Sequence, residues 1–267
     1  MLATALTYGV AMTTTVSCSC DDSSVIPSLH EKLKGKWMMA EVNGKPVATN
    51  SKQVLTYVSD TKFYYSLSIS ATSDLNVWVD HCEGGLSVSG NTLTQSVELP
   101  NDNIRFSQKL NIKSITDNEI QLITTNQTFV DGKLYRTTKD LNERKVRVTH
   151  DYGNDIIGMW EGRLTSEQDA HSDGKLHRWE FKADGTFVYY GQDDRGEWVA
   201  YVSPIADYFV DGTLLCARWK DEGDDIEKRE SWEILSIKND RMEWTALREK
   251  ADGSTYTAQF VMTRVKP

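Results

Sequence analysis

Two short segments carry residue types that could support nucleophilic catalysis. A catalytic serine of the hydrolase type requires a Gly-x-Ser-x-Gly turn, and the run Gly-Leu-Ser-Val-Ser-Gly that begins at Gly85 misses this motif by one residue. His81-Cys82-Glu83 brings three reactive types together, but neighbours in a strand point to opposite faces, so Cys82 could not share a face with His81. Neither segment predicts a catalytic centre, and we expect that the protein is not an enzyme.

Two histidines flank a possible hairpin turn. His171 and His177 stand on either side of Asp173-Gly174, and a hairpin would bring them together on adjacent strands, where they could bind zinc. Histidines beside a turn are more often exposed polar residues, and the four cysteines lack the paired spacing of a zinc site. The chain also has no phosphate-binding or dinucleotide-binding motif. The sequence therefore predicts neither a metal site nor a cofactor.

The elements that would position any site belong to a tandem repeat. Gly35-x-Trp37 and Gly158-x-Trp160 open two segments that can be aligned in nearly constant register almost to the end of the chain. Asp131-Gly132 of the first segment, for example, meets Asp252-Gly253 of the second. Such a register indicates duplication, and 267 residues accommodate two domains. The predicted domains are residues 33–148 and 149–267.

Hydrophobic periodicity predicts strands along both repeats. Almost every apolar stretch alternates with period two, which is typical of strands with one buried face. Met242, Trp244 and Ala246, for example, alternate with Glu243 and Thr245. Asp-Gly pairs suited to hairpin turns separate these stretches, and helical periodicity is nearly absent. The sequence therefore predicts an all-β fold of two tandem antiparallel up-and-down β-barrels with about eight strands each.

The opening motif of each repeat resembles that of lipocalins and related calycin barrels. In that family the tryptophan of Gly-x-Trp closes one end of the barrel and packs under a basic residue from near the last strand. The resemblance covers residues 33–267 without the family's middle loop motif, and so it points to divergent bacterial lipocalin-like domains. It implies that Trp37 and Trp160 are barrel plugs, with Arg144 and Arg264 as their basic partners.

Tryptophans distinguish the second repeat from the first. Six of the eight lie in the second repeat, and five of these remain once the plug Trp160 is set aside. Alternation places these five on inward faces, where they could fill a narrow barrel or line an aromatic cup for an apolar ligand. Matching positions in the first repeat are smaller, which predicts that the second barrel binds and the first supports it. The candidate ligand-binding residues are Trp179, Trp198, Trp219, Trp232 and Trp244, with Tyr189, Tyr201 and Tyr208 near the rim.

Cys82 and Cys216 are the cysteines of the two repeats, one in each. They do not coincide when the repeats are aligned, so they are neither a duplicated disulfide half nor a duplicated nucleophile. Two free buried thiols are the expected state, and an interdomain disulfide is the alternative.

The N-terminal segment resembles the lipoprotein signal peptide of Gram-negative bacteria. Residues 2–16 are uncharged and mildly apolar, and a small residue, Ser17, precedes Cys18. The resemblance implies acylation at Cys18, with Cys20 as the alternative, and a signal peptide and tether over residues 1–32. An ordinary cleaved signal peptide and a disordered tail are the other interpretations. Because a membrane span needs about 20 strongly apolar residues, we expect a lipid anchor in the cell envelope, at either face of the outer membrane, and no transmembrane helix.

Three functions fit these features. The first is a non-enzymatic envelope lipoprotein whose second barrel binds a small hydrophobic ligand. The second is a cell-surface module that binds a glycan or a protein through barrel loops or the groove between the barrels, using exposed aromatics such as Tyr64, Tyr152 and Tyr190. The third is a peptidase inhibitor with residues 21–32 as its arm. The net charge of −9 argues against nucleic acid, because phosphate binding needs clustered lysine and arginine.

Lipidation at Cys18 has a direct test. The Cys18→Ala variant should leave the membrane fraction of an expressing Gram-negative cell, because it lacks the acyl anchor. Mass spectrometry of membrane-extracted protein should show an acylated Cys18, and Cys20→Ala is the matched control. An unmodified mature chain in the soluble fraction would contradict the anchoring prediction.

Overall fold

The computed structural model describes residues 29–69, 75–99, 103–166, 174–223 and 225–266. These ranges form two successive antiparallel sheets with little helix. The predicted lipidation sites, Cys18 and Cys20, and the hairpin histidine His171 lie outside the described residues. None of the helices in these ranges has the length and apolar character that a membrane span requires.

The first sheet closes into a barrel. Its strands are β1 (Gly35–Val42), β2 (Lys45–Pro46), β3 (Gln53–Tyr57), β4 (Lys62–Ile69), β5 (Val77–Ser89), β6 (Thr92–Glu98), β7 (Ile104–Ile115), β8 (Glu119–Val130) and β9 (Lys133–Val148). The sheet order is β2-β1-β3-β4-β5-β6-β7-β8-β9, and β1 also pairs with β9. Eight strands therefore form the ring, with the short β2 at its edge. A helix, α1 (Leu29–Leu33), precedes the barrel, and a 3-10 helix (Thr49–Ser51) follows β2.

The second sheet curls round to meet itself. Its strands are β10 (Gly158–Leu164), β11 (His177–Phe181), β12 (Phe187–Gln192), β13 (Trp198–Tyr201), β14 (Ala206–Asp211), β15 (Leu214–Trp219), β16 (Lys228–Lys238), β17 (Arg241–Glu249) and β18 (Thr255–Arg264). The sheet order is β13-β12-β11-β10-β18-β17-β16-β15-β14. A bridge from Thr186 to Asp207 and a hydrogen bond from Tyr208 N to Gly185 O, at 2.8 Å, bring β14 back towards β12. β13 and β14 thus act as two parts of one bent strand.

Equivalent strands of the two repeats are irregular at the same aligned positions. β5 has a bulge at Asp80 and His81, where its pairing with β4 shifts register. The aligned positions of the second repeat are Val202 and Ser203. They lie in the segment that separates β13 from β14, so the strand is interrupted there. β5 therefore corresponds to β13 and β14 together. The predicted architecture of two tandem barrels is confirmed.

Each Gly-x-Trp tryptophan is buried at the entry to its barrel and is bonded to the turn before it. Trp37 Nε1 donates a hydrogen bond to Leu33 O at 2.7 Å, and Trp160 Nε1 donates one to Ile156 O at 2.6 Å. Both side chains are 0% exposed. A buried indole N–H needs such an acceptor, and so equivalent turns fix both rings in the same way.

An arginine from the last strand covers the second plug. The Arg264 guanidinium lies 4.1 Å from the centre of the Trp160 ring. It donates to Ile157 O at 2.6 Å and to Asp155 O at 2.8 Å. The register of β10 and β18 sets this contact, because Arg264 and Trp160 are direct cross-strand partners. Gly158, with φ of +125°, is required beside it, since a Cβ there would lie 2.6 Å from Arg264 Nη1.

The prediction that Arg144 covers Trp37 was wrong. Arg147 does so: its guanidinium lies 4.1 Å from the ring centre, and it pairs with Trp37 across β1 and β9. Arg144 instead binds Glu41 at 2.6 Å and Glu119 at 3.2 Å. Because side chains alternate along a strand, the odd separation between the two arginines places them on opposite faces of β9.

The two barrels pack directly against each other. Arg229 of β16 donates to Val77 O and to Asn76 Oδ1 of the first barrel, both at 2.5 Å. Ser231 N donates to Asn50 Oδ1 at 2.9 Å. Between these polar contacts lies an apolar cluster of Met38, Val54, Phe209, Leu214 and Cys216. The two barrels therefore form a packed interface at these residues.

The assignment of the plug arginine can be tested by substitution. Arg147→Ala should lower the free energy of unfolding by roughly 2–4 kcal/mol, because it removes charge-assisted hydrogen bonds and a cation–π contact. Arg144→Ala removes a surface ion pair and should cost at most about 1 kcal/mol. Urea unfolding followed by tryptophan fluorescence measures both variants. Equal losses would contradict the assignment of Arg147.

Candidate functional site

Four of the five predicted ligand-binding tryptophans lie in or against the second core. Trp232 and Trp244 are buried members of this core, at 6% and 1% exposure. Trp179 and Trp219 are partly buried and pack against it. The structure therefore brings these four side chains to one side of the curled sheet, as alternation predicts.

The inward placement of Trp198 was wrong. Its ring lies 4.0 Å from the guanidinium of Arg178, the neighbour of Trp179 on the opposite face of β11. Trp198 is also an odd number of positions from Tyr201, which contacts the ring of Tyr189. Trp198 therefore stabilises the outer face of the sheet and does not line its interior.

Trp244 is the centre of an aromatic cluster. Its ring centre lies 5.5 Å from Trp232, in a stacked arrangement, and 5.4 Å from Trp179, edge to face. Phe260 lies 5.7 Å away, also edge to face. These separations are those of rings in favourable contact. The buried part of the second barrel is thus filled largely by its own side chains.

The indole N–H of Trp244 has no acceptor within the described part of the chain. Nε1 is buried without a hydrogen-bond partner among the residues that the structure describes. The N–H groups of Trp37 and Trp160, in contrast, both have a backbone acceptor. A buried donor left unpaired costs about 1–3 kcal/mol. A ligand that carries an acceptor atom could therefore gain a specific contact at Trp244.

A row of rings leads from this cluster to the surface. The ring centre of Trp179 lies 5.0 Å from that of Tyr189, which lies 5.2 Å from that of Tyr201. Tyr201 is 59% exposed. The ring of His177 stacks on that of Trp179, and His177 Nδ1 lies 2.7 Å from Tyr189 Oη. The expectation that His177 is exposed was wrong, because the side chain is buried. We call Trp244, Trp179, Tyr189 and Tyr201 the aromatic row.

Other tyrosines occupy more buried places than the sequence predicts. Tyr208, expected at the rim, is 8% exposed and donates to Lys182 O at 2.7 Å. Burial raises the pKa of its hydroxyl, and so it remains a neutral donor. Tyr152, expected to be exposed, is buried, whereas Tyr64 and Tyr190 are half-buried. Of these, Tyr64 and Tyr190 retain accessible surface for a partner.

The first barrel buries polar side chains within a largely apolar core, which the sequence analysis missed. Tyr57 Oη donates to Gln95 Oε1 at 3.0 Å, and both side chains are buried. Gln95 Nε2 donates to Gln108 Oε1 at 2.5 Å, and Gln108 Nε2 donates to Asn126 Oδ1 at 2.8 Å. Amide side chains thus connect three neighbouring strands, β6, β7 and β8, and Tyr57 of β3 joins them from across the barrel. Because each group has a partner, this chain can be buried at little cost.

An ion pair is buried in the same barrel. Lys145 Nζ lies 3.4 Å from Glu143 Oε2, and the two side chains are 0% and 2% exposed. Burial raises the pKa of the Tyr57 and Tyr65 hydroxyls, and the negative charge of Glu143 raises both further. The sequence did indicate that Glu143 and Lys145 share a face, because they lie two positions apart in a strand. Their burial could not be inferred without the register of β9.

A surface depression of about 240 Å³ lies on the first barrel, and its lining includes Glu41, Lys113, Gln121 and Arg144. This volume is below the roughly 300–1,000 Å³ of usual small-molecule pockets. None of the predicted tryptophans lines it. The aromatic row is therefore the stronger candidate for a ligand.

No protein-family model matches this sequence, and no curated protein matches it. A mutant of the vaccine antigen transferrin binding protein B from Haemophilus parasuis Hp5 is 10% identical, with a TM-score of 0.24, over 84% of this chain and 62% of that one. The chain thus spans less than two thirds of that structure. A protein of unknown function from the DUF3598 family of Nostoc punctiforme PCC 73102 is 13% identical, with a TM-score of 0.22, over 88% and 97% of the two chains. Such similarity assigns no function, and the site rests on its own geometry.

The cysteines of the two repeats are free, as the sequence predicts, but only Cys216 is buried as expected, and the two should differ in reactivity. Cys216 is fully buried, and burial raises the pKa of its thiol to about 12. Cys82 is partly exposed. Because the accessible thiolate is the reactive form, iodoacetamide at about pH 8 should label Cys82 first and Cys216 only after unfolding. Peptide mass spectrometry, with a urea-unfolded control, measures both sites. Equal labelling in the folded protein would contradict the burial of Cys216.

Proposed function

We propose that this protein is a non-enzymatic, lipid-anchored envelope protein whose second lipocalin-like barrel binds a small hydrophobic ligand with a planar ring and a hydrogen-bond acceptor. The aromatic row carries this proposal. It runs from the unpaired indole N–H of Trp244, 1% exposed, to the ring of Tyr201, 59% exposed. A planar molecule entering from the Tyr201 end would find ring faces along its path and a donor at the end of it.

The entry to each barrel supports the lipocalin-like part of the proposal. Both Gly-x-Trp motifs bury the tryptophan and place an arginine over its ring. Trp37 and Trp160 also donate to equivalent carbonyls of the preceding turns. Two copies of one arrangement make a shared origin of the barrels the simplest explanation. The lipid anchor is supported by the sequence around Cys18 alone.

The packing of the second core defines where the ligand would bind. Trp232, Trp244 and Phe260 are in mutual contact, at 5.3–5.7 Å between ring centres. A ligand therefore gains most at the half-buried rings of Trp179 and Tyr189, which can separate from Tyr201 with little disturbance of the core. We expect a shallow site at the exposed end of the row that reaches inward towards Trp244.

Fluorescence titration tests the site. Planar hydrophobic probes, such as haem and a sterol analogue, should quench tryptophan emission saturably. Tyr201→Ala should weaken binding by about 5- to 10-fold, since one ring contact contributes about 1 kcal/mol. The matched control is Tyr135→Ala, which removes a 44% exposed tyrosine of the first barrel. This variant should bind the probes as the wild type does.

A second variant tests the role of the indole donor. Trp244→Phe keeps an aromatic ring but removes the N–H. It should therefore weaken the binding of probes that carry an acceptor more than the binding of probes that lack one. The proposal fails if no probe changes the emission, or if Tyr201→Ala and Tyr135→Ala behave alike.

A glycan is the second candidate ligand. Tyr201 and the neighbouring Val202 are 59% and 82% exposed, and exposed aromatic faces suit sugar rings as well. Oligosaccharide binding that is lost in Tyr201→Ala but unchanged in Trp244→Phe would favour this alternative.

A further inference from the structure

A cluster of metal-ligating side chains lies at the contact between the barrels, apart from the aromatic row. Asp80 and His81 come from the bulge of β5, and Asp211 ends β14. One potential ligand atom of each lies within 4.8 Å of the others. Imidazole and carboxylate groups are common ligands of zinc. Residues from both barrels thus meet in an arrangement that could hold a cation.

The bulge directs part of this cluster towards the second barrel. His81 has a φ of 50°, in the left-handed region, and its N–H donates to Ser66 Oγ at 3.0 Å. An extra residue in one strand re-aims the side chains around it, and such bulges are frequent beside functional sites. The equivalent positions, Val202 and Ser203, carry no metal-ligating group. At this strand interruption, therefore, only the first repeat carries metal-ligating side chains.

Asp80 orients the imidazole. Its Oδ1 lies 2.7 Å from His81 Nδ1. A carboxylate at Nδ1 favours a proton on that nitrogen and leaves the lone pair of Nε2 available to a metal. Nε2 lies 3.7 Å from Asp211 Oδ1, which is too long for a hydrogen bond. That separation suits two ligands that each lie about 2.0–2.2 Å from one zinc ion.

The charge of the cluster also favours a cation. The Asp211 side chain is 1% exposed, and its Oδ1 forms an ion pair with Lys36 Nζ at 2.7 Å. Lys36 also forms an ion pair with Asp151, which lies in the linker between β9 and β10. Even with His81 protonated, the three carboxylates of Asp80, Asp151 and Asp211 exceed the two positive charges of Lys36 and His81 by one. A divalent ion would balance the excess negative charge.

We propose that His81 Nε2 and Asp211 Oδ1 bind a divalent ion of the zinc type, with Asp80 as the orienting carboxylate, and that the ion links the two barrels. Water can complete the coordination shell, because the side chains of Asp80 and His81 are 45% and 46% exposed. Lys36 competes with the ion for Asp211. The site is independent of the ligand proposed for the aromatic row.

Calorimetric titration with Zn²⁺ tests the proposal on untagged, EDTA-treated protein. All samples carry Cys18→Ser and Cys20→Ser, so that N-terminal thiols do not bind zinc. The protein should bind one Zn²⁺ per chain and unfold at a higher temperature with zinc. His81→Ala and Asp80→Asn should each weaken binding by about 10-fold or more. His30→Ala, a histidine outside the cluster, is the matched control.

Lys36→Gln separates a metal site from a plain ion-pair cluster. Removal of the competing ammonium should tighten Zn²⁺ binding several-fold, although it removes an interbarrel ion pair. Circular dichroism checks the fold of each variant, and Asp80→Asn and Lys36→Gln decide the outcome if His81→Ala does not fold. The proposal is overturned if Zn²⁺ binding is not saturable, if His81→Ala binds as well as the control, or if Lys36→Gln binds more weakly.

Discussion

The buried indole N–H at the entry of each barrel must find an acceptor, and the turn before the first strand supplies it. Leu33 O and Ile156 O accept from Trp37 and Trp160 at nearly the same distance. The arginine over each ring then donates to other carbonyls of the same turn. One side-chain stack therefore joins the turn, the first strand and the last strand. Ring closure depends on this junction, because the first and last strands of each repeat pair beside it.

Within this shared frame both barrels have an apolar core, and they differ in the polar and aromatic side chains added to it. The first barrel buries a chain of amides from Gln95 to Asn126 and the pair of Glu143 and Lys145. The second buries aromatic rings around Trp244 and leaves that indole N–H unpaired. Among the described residues, each barrel also buries a polar atom that has no hydrogen-bond partner, for example Lys145 Nζ in the first and Trp244 Nε1 in the second.

Local patterns of the sequence were sufficient for the strands, the repeat and the plug tryptophans. Alternation and the glycine before Trp37 and Trp160 depend only on neighbouring residues. The plug arginine was missed because the repeats differ in length near their ends: Arg144 lies 120 residues before Arg264, close to the offset of 121 at Asp131, whereas Arg147 lies 117 residues before it. Only the pairing of β1 with β9 identifies Arg147. Trp198 was misplaced because β13 has apolar residues on both faces, and only its pairing with β12, in which Trp198 lies opposite Gln192, shows which face is inward. The contacts between the barrels join residues far apart in the chain, and no periodic signal predicts them.

The interface between the barrels has a consequence for the linker. Met38 and Val54 of the first barrel cover Phe209, Leu214 and Cys216 of the second, and either barrel alone would present this apolar surface to water. Residues 149–157 keep the two surfaces at a high effective concentration, so their association does not depend on how much protein is present. A single molecule at high dilution therefore has the same paired barrels as a crowded population, and neither half is a natural unit for separate expression.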